Sequence, residues 1–351
     1  MSLYDAVADL PLVVESTSRS RREADTSSGF ARVTTTFALS GEGVTGRGED
    51  VTYAADDHDA LADAPADAFD LVGEHTLDSL SAHLDDVDLF PGREPERETF
   101  RDYRRWAVES AALDLALRQA GTDLGSALGR DYDPVRFVVS TRLGDPPTAD
   151  RVHEWLSIDA DLGFKLDATS DWDDDLVAEL AATDAVRIVD LKGAYEGTDV
   201  DQAPDPDLYE RVVGGFPDAA IEDPALTDET RPVVAPAADR VSWDAPVHSL
   251  SDFRERPLGG RWLNVKPSRF GSVASLLETV EWCLDSDVTM YSGGQFELGV
   301  GRAQLHELAS LFYPDAPNDA APRAYNEPEP SADVPSSPLA PDVPLGFGGG
   351  F

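Results

Sequence analysis

The feature that most constrains this chain is a rhythm that begins after Tyr132. Short apolar runs at 136–141, 164–167, 186–191, 219–223, 240–244, 262–266 and 288–292 alternate with stretches of helical character, including 149–159, 174–183, 208–216, 272–285 and 302–312. Six consecutive strand–helix repeats and a seventh predict a parallel sheet, closed as a barrel or open and doubly wound. No glycine-rich dinucleotide fingerprint follows the first strand, which weakens the open form. An eighth strand has room only at 315–321, a poor strand by composition.

Before this rhythm the chain has a different texture. Residues 33–39 alternate as a strand, and Gly41-Glu-Gly-Val-Thr-Gly-Arg-Gly-Glu supplies tight turns. Trp106, Leu113, Leu117 and Ala120 recur at helical spacing, with Gly121 as the stop. The first 130 residues therefore read as an α+β unit. From Pro322 onward the chain is rich in Pro, Ser, Asp and Gly, which by composition is a linker or loose tail.

The second to sixth predicted barrel strands close on charged residues: Lys165 and Asp167, Asp190 and Lys192, Glu222 and Asp223, Asp244, then Lys266. In a parallel barrel those strand ends open on one face, where active sites are assembled. Asp190, Glu222 and Asp244 offer hard oxygens of the kind Mg²⁺ or Mn²⁺ accepts. The chain has 25 Arg but only three Lys, and all three fall at these ends. Lysine can give up its proton and act as a base, which arginine cannot do. In so acidic a chain, a carboxylate at any single strand end carries little meaning; the set of acids and amines carries more.

The net charge of −40 excludes general binding to nucleic acid or anionic membranes. Its spread along the whole chain matches the composition of proteins from salt-in halophiles and predicts stability that rises with molar salt. A single cysteine, Cys283, excludes an intrachain disulfide framework, and the histidines show no metal spacing. With no signal peptide and no long apolar run, the expectation is a soluble cytoplasmic protein with a small-molecule partner. Room is left for a homo-oligomer.

The motifs together resemble the enolase superfamily, in its muconate-lactonizing and o-succinylbenzoate-synthase-like branch. Gly43-Val-Thr-Gly-Arg-Gly-Glu resembles the capping-domain signature, and Val108-Glu-Ser-Ala-Ala-Leu-Asp the helix leading into the barrel. Ile221-Glu-Asp-Pro, Asn264-Val-Lys-Pro-Ser-Arg-Phe-Gly and Gly293-Gly-Gln-Phe-Glu-Leu-Gly-Val-Gly resemble the fourth-, sixth- and seventh-strand motifs. Spacings of 32, 22 and 22 separate Asp190, Glu222, Asp244 and Lys266.

The resemblance implies a (β/α)7β-type barrel at 131–321, an α+β lid at 1–130 and a C-terminal segment, 322–351, returning to the lid. It implies Mg²⁺ on Asp190, Glu222 and Asp244, Lys266 and Lys165 in the catalytic set, and removal of the proton α to a carboxylate. Substrate contacts are implied for Asn264 and Glu297, and for Arg19, Arg21 and Arg22 in a mobile lid loop at 16–29. The outcome is dehydration, cycloisomerisation or epimerisation; an acid-sugar dehydratase and a non-catalytic acid-binding protein are the alternatives.

Three departures stand out, one of them Asp244-Ala-Pro where the fifth strand would carry Asp-Glu-Ser. The second-strand Lys-x-Lys is Lys165-Leu-Asp167, and the third-strand Asp-x-Asn is Asp190-Leu-Lys192. Either the second cationic group has moved one strand over, with Lys192 held by Asp167, or the pair is a structural ion pair. Losing the second-strand lysine favours one-base chemistry such as syn dehydration.

Overall fold

The computed structural model describes residues 2–26, 30–195, 200–327, 330–342 and 345–349. Twelve strands occur among them: β1 Pro11–Val14, β2 Ser16–Asp25, β3 Ala31–Gly41, β4 Val44–Asp50, β5 Gly73–Thr76, β6 Val138–Thr141, β7 Gly163–Asp167, β8 Val186–Asp190, β9 Ala220–Glu222, β10 Val241–Trp243, β11 Trp262–Val265 and β12 Thr289–Ser292. Strands β6 to β12 form one parallel sheet in sequence order. All are short and most are almost wholly buried, as expected of strands covered on both faces. Several intervening helices are capped by acidic or hydroxyl side chains: Asp173, Asp205 and Ser272 each accept from first-turn amides.

The sheet closes as a barrel. The segment after the last long helix, Val300–Phe312, lies between β12 and β6. Asn318 bridges Phe137 in parallel, and its carbonyl accepts from the Val138 amide at 2.9 Å. On the other side the Asp319 amide donates to the Ser292 carbonyl at 2.8 Å. A single bridge replaces a regular strand, which is why composition alone gave so weak a signal there. The open, doubly wound alternative is set aside.

The N-terminal part packs as a lid. Strands β2, β3 and β4 form an antiparallel sheet, with Glu42 and Gly43 at positive φ in the β3–β4 turn. Beneath them runs the helix Phe100–Gln119. Gly46 and Gly48 allow β4 to lie directly on it: a Cβ at Gly46 would stand 2.3 Å from the Ala111 carbonyl oxygen, and one at Gly48 2.1 Å from that of Ala107. Residues 16–25, expected as a mobile loop, are the regular strand β2, paired throughout with β3. Residues 27–29 of that expected loop lie outside the described residues.

The C-terminal tail is not a loose linker. Phe347 is fully buried edge-on against Trp106, and its amide donates to Asp114 at 2.7 Å. Gly346 bridges Asp123, and Leu339 pairs with Val135. Low apolar content conceals this packing, because a few apolar side chains and several backbone hydrogen bonds hold the segment.

Candidate active site at the barrel mouth

Parallel register places the carboxylates side by side. Asp167, Asp190 and Glu222 are neighbours across β7, β8 and β9, and Asp244 lies just beyond β10. Lys165 lies on β7, and Lys266 follows β11. Lys192 lies in the turn after β8 at φ 52°, so the turn rather than strand alternation aims it inward.

The amines and acids interlock. Lys165 Nζ reaches Glu222 Oε1 at 2.6 Å, Asp319 Oδ2 at 3.0 Å and Asp190 Oδ2 at 3.4 Å. Lys192 Nζ contacts Asp190 Oδ2, and Asp167 Oδ1 at 3.4 Å. Asp167 also holds Arg142, at 3.1 Å. Lys266 Nζ has one carboxylate partner, Asp244 Oδ2 at 2.8 Å, while Arg269 takes Asp244 Oδ1 at 2.7 Å. The hydroxyls of Tyr195 and Tyr291 donate to Asp244 Oδ2 and Glu222 Oε2 respectively.

Burial works against the Lys165 ammonium, but Asp319, Glu222 and Asp190 outweigh it and hold its pKa well above the usual lysine value. Burial likewise opposes the charge on Lys192, which Asp167 and Asp190 hold above its ordinary value. Asp190, despite burial, is held below the usual carboxylate range by Lys192 and Lys165. Asp244 is likewise held low by Arg269 and Lys266. Asp223, which accepts only the amides of Asp244 and Ala245 among the described hydrogen bonds, is pushed up to about 7 by burial and then by Asp244 and Asp190.

Above this layer is a cavity of about 1720 Å³, bounded by the strand ends and by Phe30 and Tyr53 of the lid. Among the described residues, nine Arg and Lys side chains line it against four Asp and Glu. A net-positive wall in a chain of charge −40 suits an organic anion. Phe30 packs edge-on to Phe296, with ring centroids 5.2 Å apart, giving that wall an apolar corner.

The lid is fastened to the loop after β12. Arg32 donates to the Gln295 carbonyl, and the Tyr53 hydroxyl to the Gln295 side chain. Glu49 accepts from the amides of Leu298, Gly299 and Gly301, at the start of the helix Val300–Phe312.

The structure therefore brings Lys165, Asp167, Lys192 and Lys266 to the cavity wall, with Asp190, Glu222 and Asp244 beneath them. It does not bring the other expected substrate contacts there. Arg19 donates to the carbonyls of Ala64 and Pro65, Arg21 pairs with Glu23 and Asp59, and Arg22 donates to the Leu298 carbonyl. These partners lie within the lid or at its seam, because β2 is a strand and not a loop folded over the mouth. Asn264 is buried below the wall, with its amide 3.4 Å from Glu222. Glu297 turns into its own loop, accepting the Gln295 amide and facing Arg302 at 3.8 Å.

Sequence reasoning passed over Arg269, Tyr195, Tyr291 and Asp319. Arg269 stands inside the sixth-strand motif, and Asp319 lies within the one segment with room for an eighth strand. Both were open to the strand-end argument; the tyrosines carried no such signal.

The implied divalent cation can be tested against the donor set. All six oxygens of Asp190, Glu222 and Asp244 already accept from the chain's own donors. None of the three side chains faces the cavity, and among the described residues no group of three or more His, Cys, Asp or Glu is arranged to hold a metal. As arranged, the residues do not fit a Mg²⁺ ion, which needs open carboxylate oxygens together with water or substrate oxygens.

Sequence-family profiles described as the C-terminal and N-terminal domains of a domain of unknown function, DUF8230, match residues 131–327 and 5–127. The chain belongs to the DUF8230 family. Its fold is that of the enolase superfamily. A structure of an enolase-superfamily member from Listeria innocua superposes with a TM-score of 0.66 at 18% identity, covering 97% of this chain and 94% of the other. A dipeptide epimerase from Methylococcus capsulatus, solved with a Mg ion, gives 0.69 at 17% identity over 91% and 92%. Among curated proteins, an o-succinylbenzoate synthase of Bacillus subtilis is 28% identical over 224 residues. That alignment covers 60% of the DUF8230 chain and only 57% of the relative's own length.

Proposed function

We propose that this DUF8230 protein is a lyase or isomerase that binds a small organic acid in the barrel-mouth cavity and moves the proton α to its carboxylate. The placement of Lys266 carries this reading. It is the one lysine of the three with a single carboxylate partner among the described contacts, and that partner keeps Arg269 on its other oxygen. Losing the Lys266 proton therefore leaves Asp244 still neutralised. Lys165 and Lys192, each held by two or more carboxylates, supply fixed positive charge instead.

In this scheme the Lys266 amine takes the α proton, and the electron pair enters the substrate carboxylate as an enediolate facing the cationic wall. In a dehydration the same ammonium returns its proton to the departing β-hydroxyl, releasing water and restoring the amine. Relatives named o-succinylbenzoate synthase support the lyase outcome, and one named N-succinylamino acid racemase supports the isomerase outcome. A second reading, an acid-binding protein without turnover, is favoured by Asp167, because it stands where the resemblance to the enolase superfamily implies a second lysine.

Deuterium incorporation at the α-carbon of a panel of carboxylates, in molar KCl, separates the two readings. Wild type incorporates deuterium, while Lys266→Ala and Lys266→Arg lose roughly 10²–10⁴-fold in rate. A Lys266→Arg enzyme with the wild-type rate refutes the role of Lys266. No incorporation across the panel favours the binding protein.

A further inference from the structure

Lys192 grips both oxygens of one carboxylate. Its amide donates to Asp190 Oδ1 at 3.0 Å, and its ammonium folds back onto Asp190 Oδ2. The residue does this from φ 52°, a left-handed conformation uncommon for residues other than glycine, asparagine and aspartate and held here by the surrounding contacts. Its other anchor, Asp167, fixes the ammonium from the neighbouring strand end.

The ion pairs around it are balanced as well. In these pairs Asp167, Asp190, Glu222, Asp244 and Asp319 meet Arg142, Lys165, Lys192, Lys266 and Arg269, five against five, while the buried Asp223 beside them accepts backbone amides. A divalent ion added to these paired charges would bring excess positive charge into a largely buried layer, which is unfavourable.

We propose that the Lys192 ammonium is the resident cation of this site, standing on Asp190 where a divalent metal would otherwise bind, so that the mouth of this barrel takes an organic anion without a metal ion. The inference is independent of which reaction follows, because it concerns the occupancy of Asp190 and not turnover.

The test uses Mn²⁺ alone, followed by electron paramagnetic resonance on the full chain. Molar KCl shortens the screening length to roughly 3 Å and suppresses diffuse binding to the acidic surface. Wild type shows no saturable Mn²⁺ site, whereas Lys192→Asn, which frees Asp190 Oδ2, gains one, at least about tenfold tighter than any residual Mn²⁺ binding to wild type. Circular dichroism confirms that the variant is folded, and the wild-type titration stands whether or not it is. A saturable wild-type site that Asp190→Asn abolishes overturns the proposal. A folded Lys192→Asn protein that gains no Mn²⁺ binding also overturns it, since Lys192 is then not what closes the site.

Discussion

Replacing Glu49 with alanine tests how the lid is held over the barrel. The buried Glu49 carboxylate comes from β4, yet it accepts the Leu298 amide at 2.7 Å, Gly299 at 2.9 Å and Gly301 at 2.8 Å. It thus caps the helix Val300–Phe312 from another part of the chain and meets the positive end of that helix's dipole. The fit is tight: a Cβ at Gly301 would stand 2.9 Å from Glu49 Oε2. Hydrogen bonds to a charged group contribute about 1.5–3 kcal/mol each, and alanine leaves several amides without a partner.

Because water enters part of the vacated space, we expect a net loss of about 3 kcal/mol rather than the sum. For 351 residues unfolding together, the entropy of unfolding is about 0.7 kcal/mol/K, so Tm falls by about 4 °C. Thermal unfolding by circular dichroism in molar KCl measures it. Glu49→Gln, which turns an NH₂ group toward the same amides, should lose most of that stability too. An alanine variant within about 1 °C of wild type refutes the capping argument.

Two further outcomes follow from buried and surface charge. Burial pushes Glu307 up to about 8 from 4.5, although it accepts from Tyr132 and Gly348. The raised value means its stabilising contribution is complete below pH 4.5 and is lost as pH rises through 8. Glu307→Gln should therefore flatten the fall in stability between about pH 5 and 9, by a few kcal/mol at the alkaline end; denaturation midpoints that fall equally in both proteins contradict this. With a charge of −40, Tm should climb as KCl is raised from about 0.1 M into the molar range, and a flat profile argues that surface repulsion is not limiting.

The alternating strands and helices were legible because buried parallel strands must be short apolar runs, and all seven, β6 to β12, lie where the pattern placed them. The glycines of Gly43-Val-Thr-Gly-Arg-Gly-Glu were visible too, but their purpose was not. Only the packed helix shows that Gly46 and Gly48 exist for backbone contact. The tail misled because its hold on the body is mostly backbone hydrogen bonding, which leaves no mark in composition.

The sequence by itself determined that three acids and three lysines would meet at one rim, since strand ends in a parallel barrel share a face. Tertiary structure alone decided which partner each would take. Ion pairing depends on separations of a few ångströms and on backbone turns such as that at Lys192, and linear spacing encodes neither. For the same reason the lid arginines, plausible in the sequence, proved to be bound at Ala64, Asp59 and Leu298, while Arg269 and Asp319 entered the site unannounced.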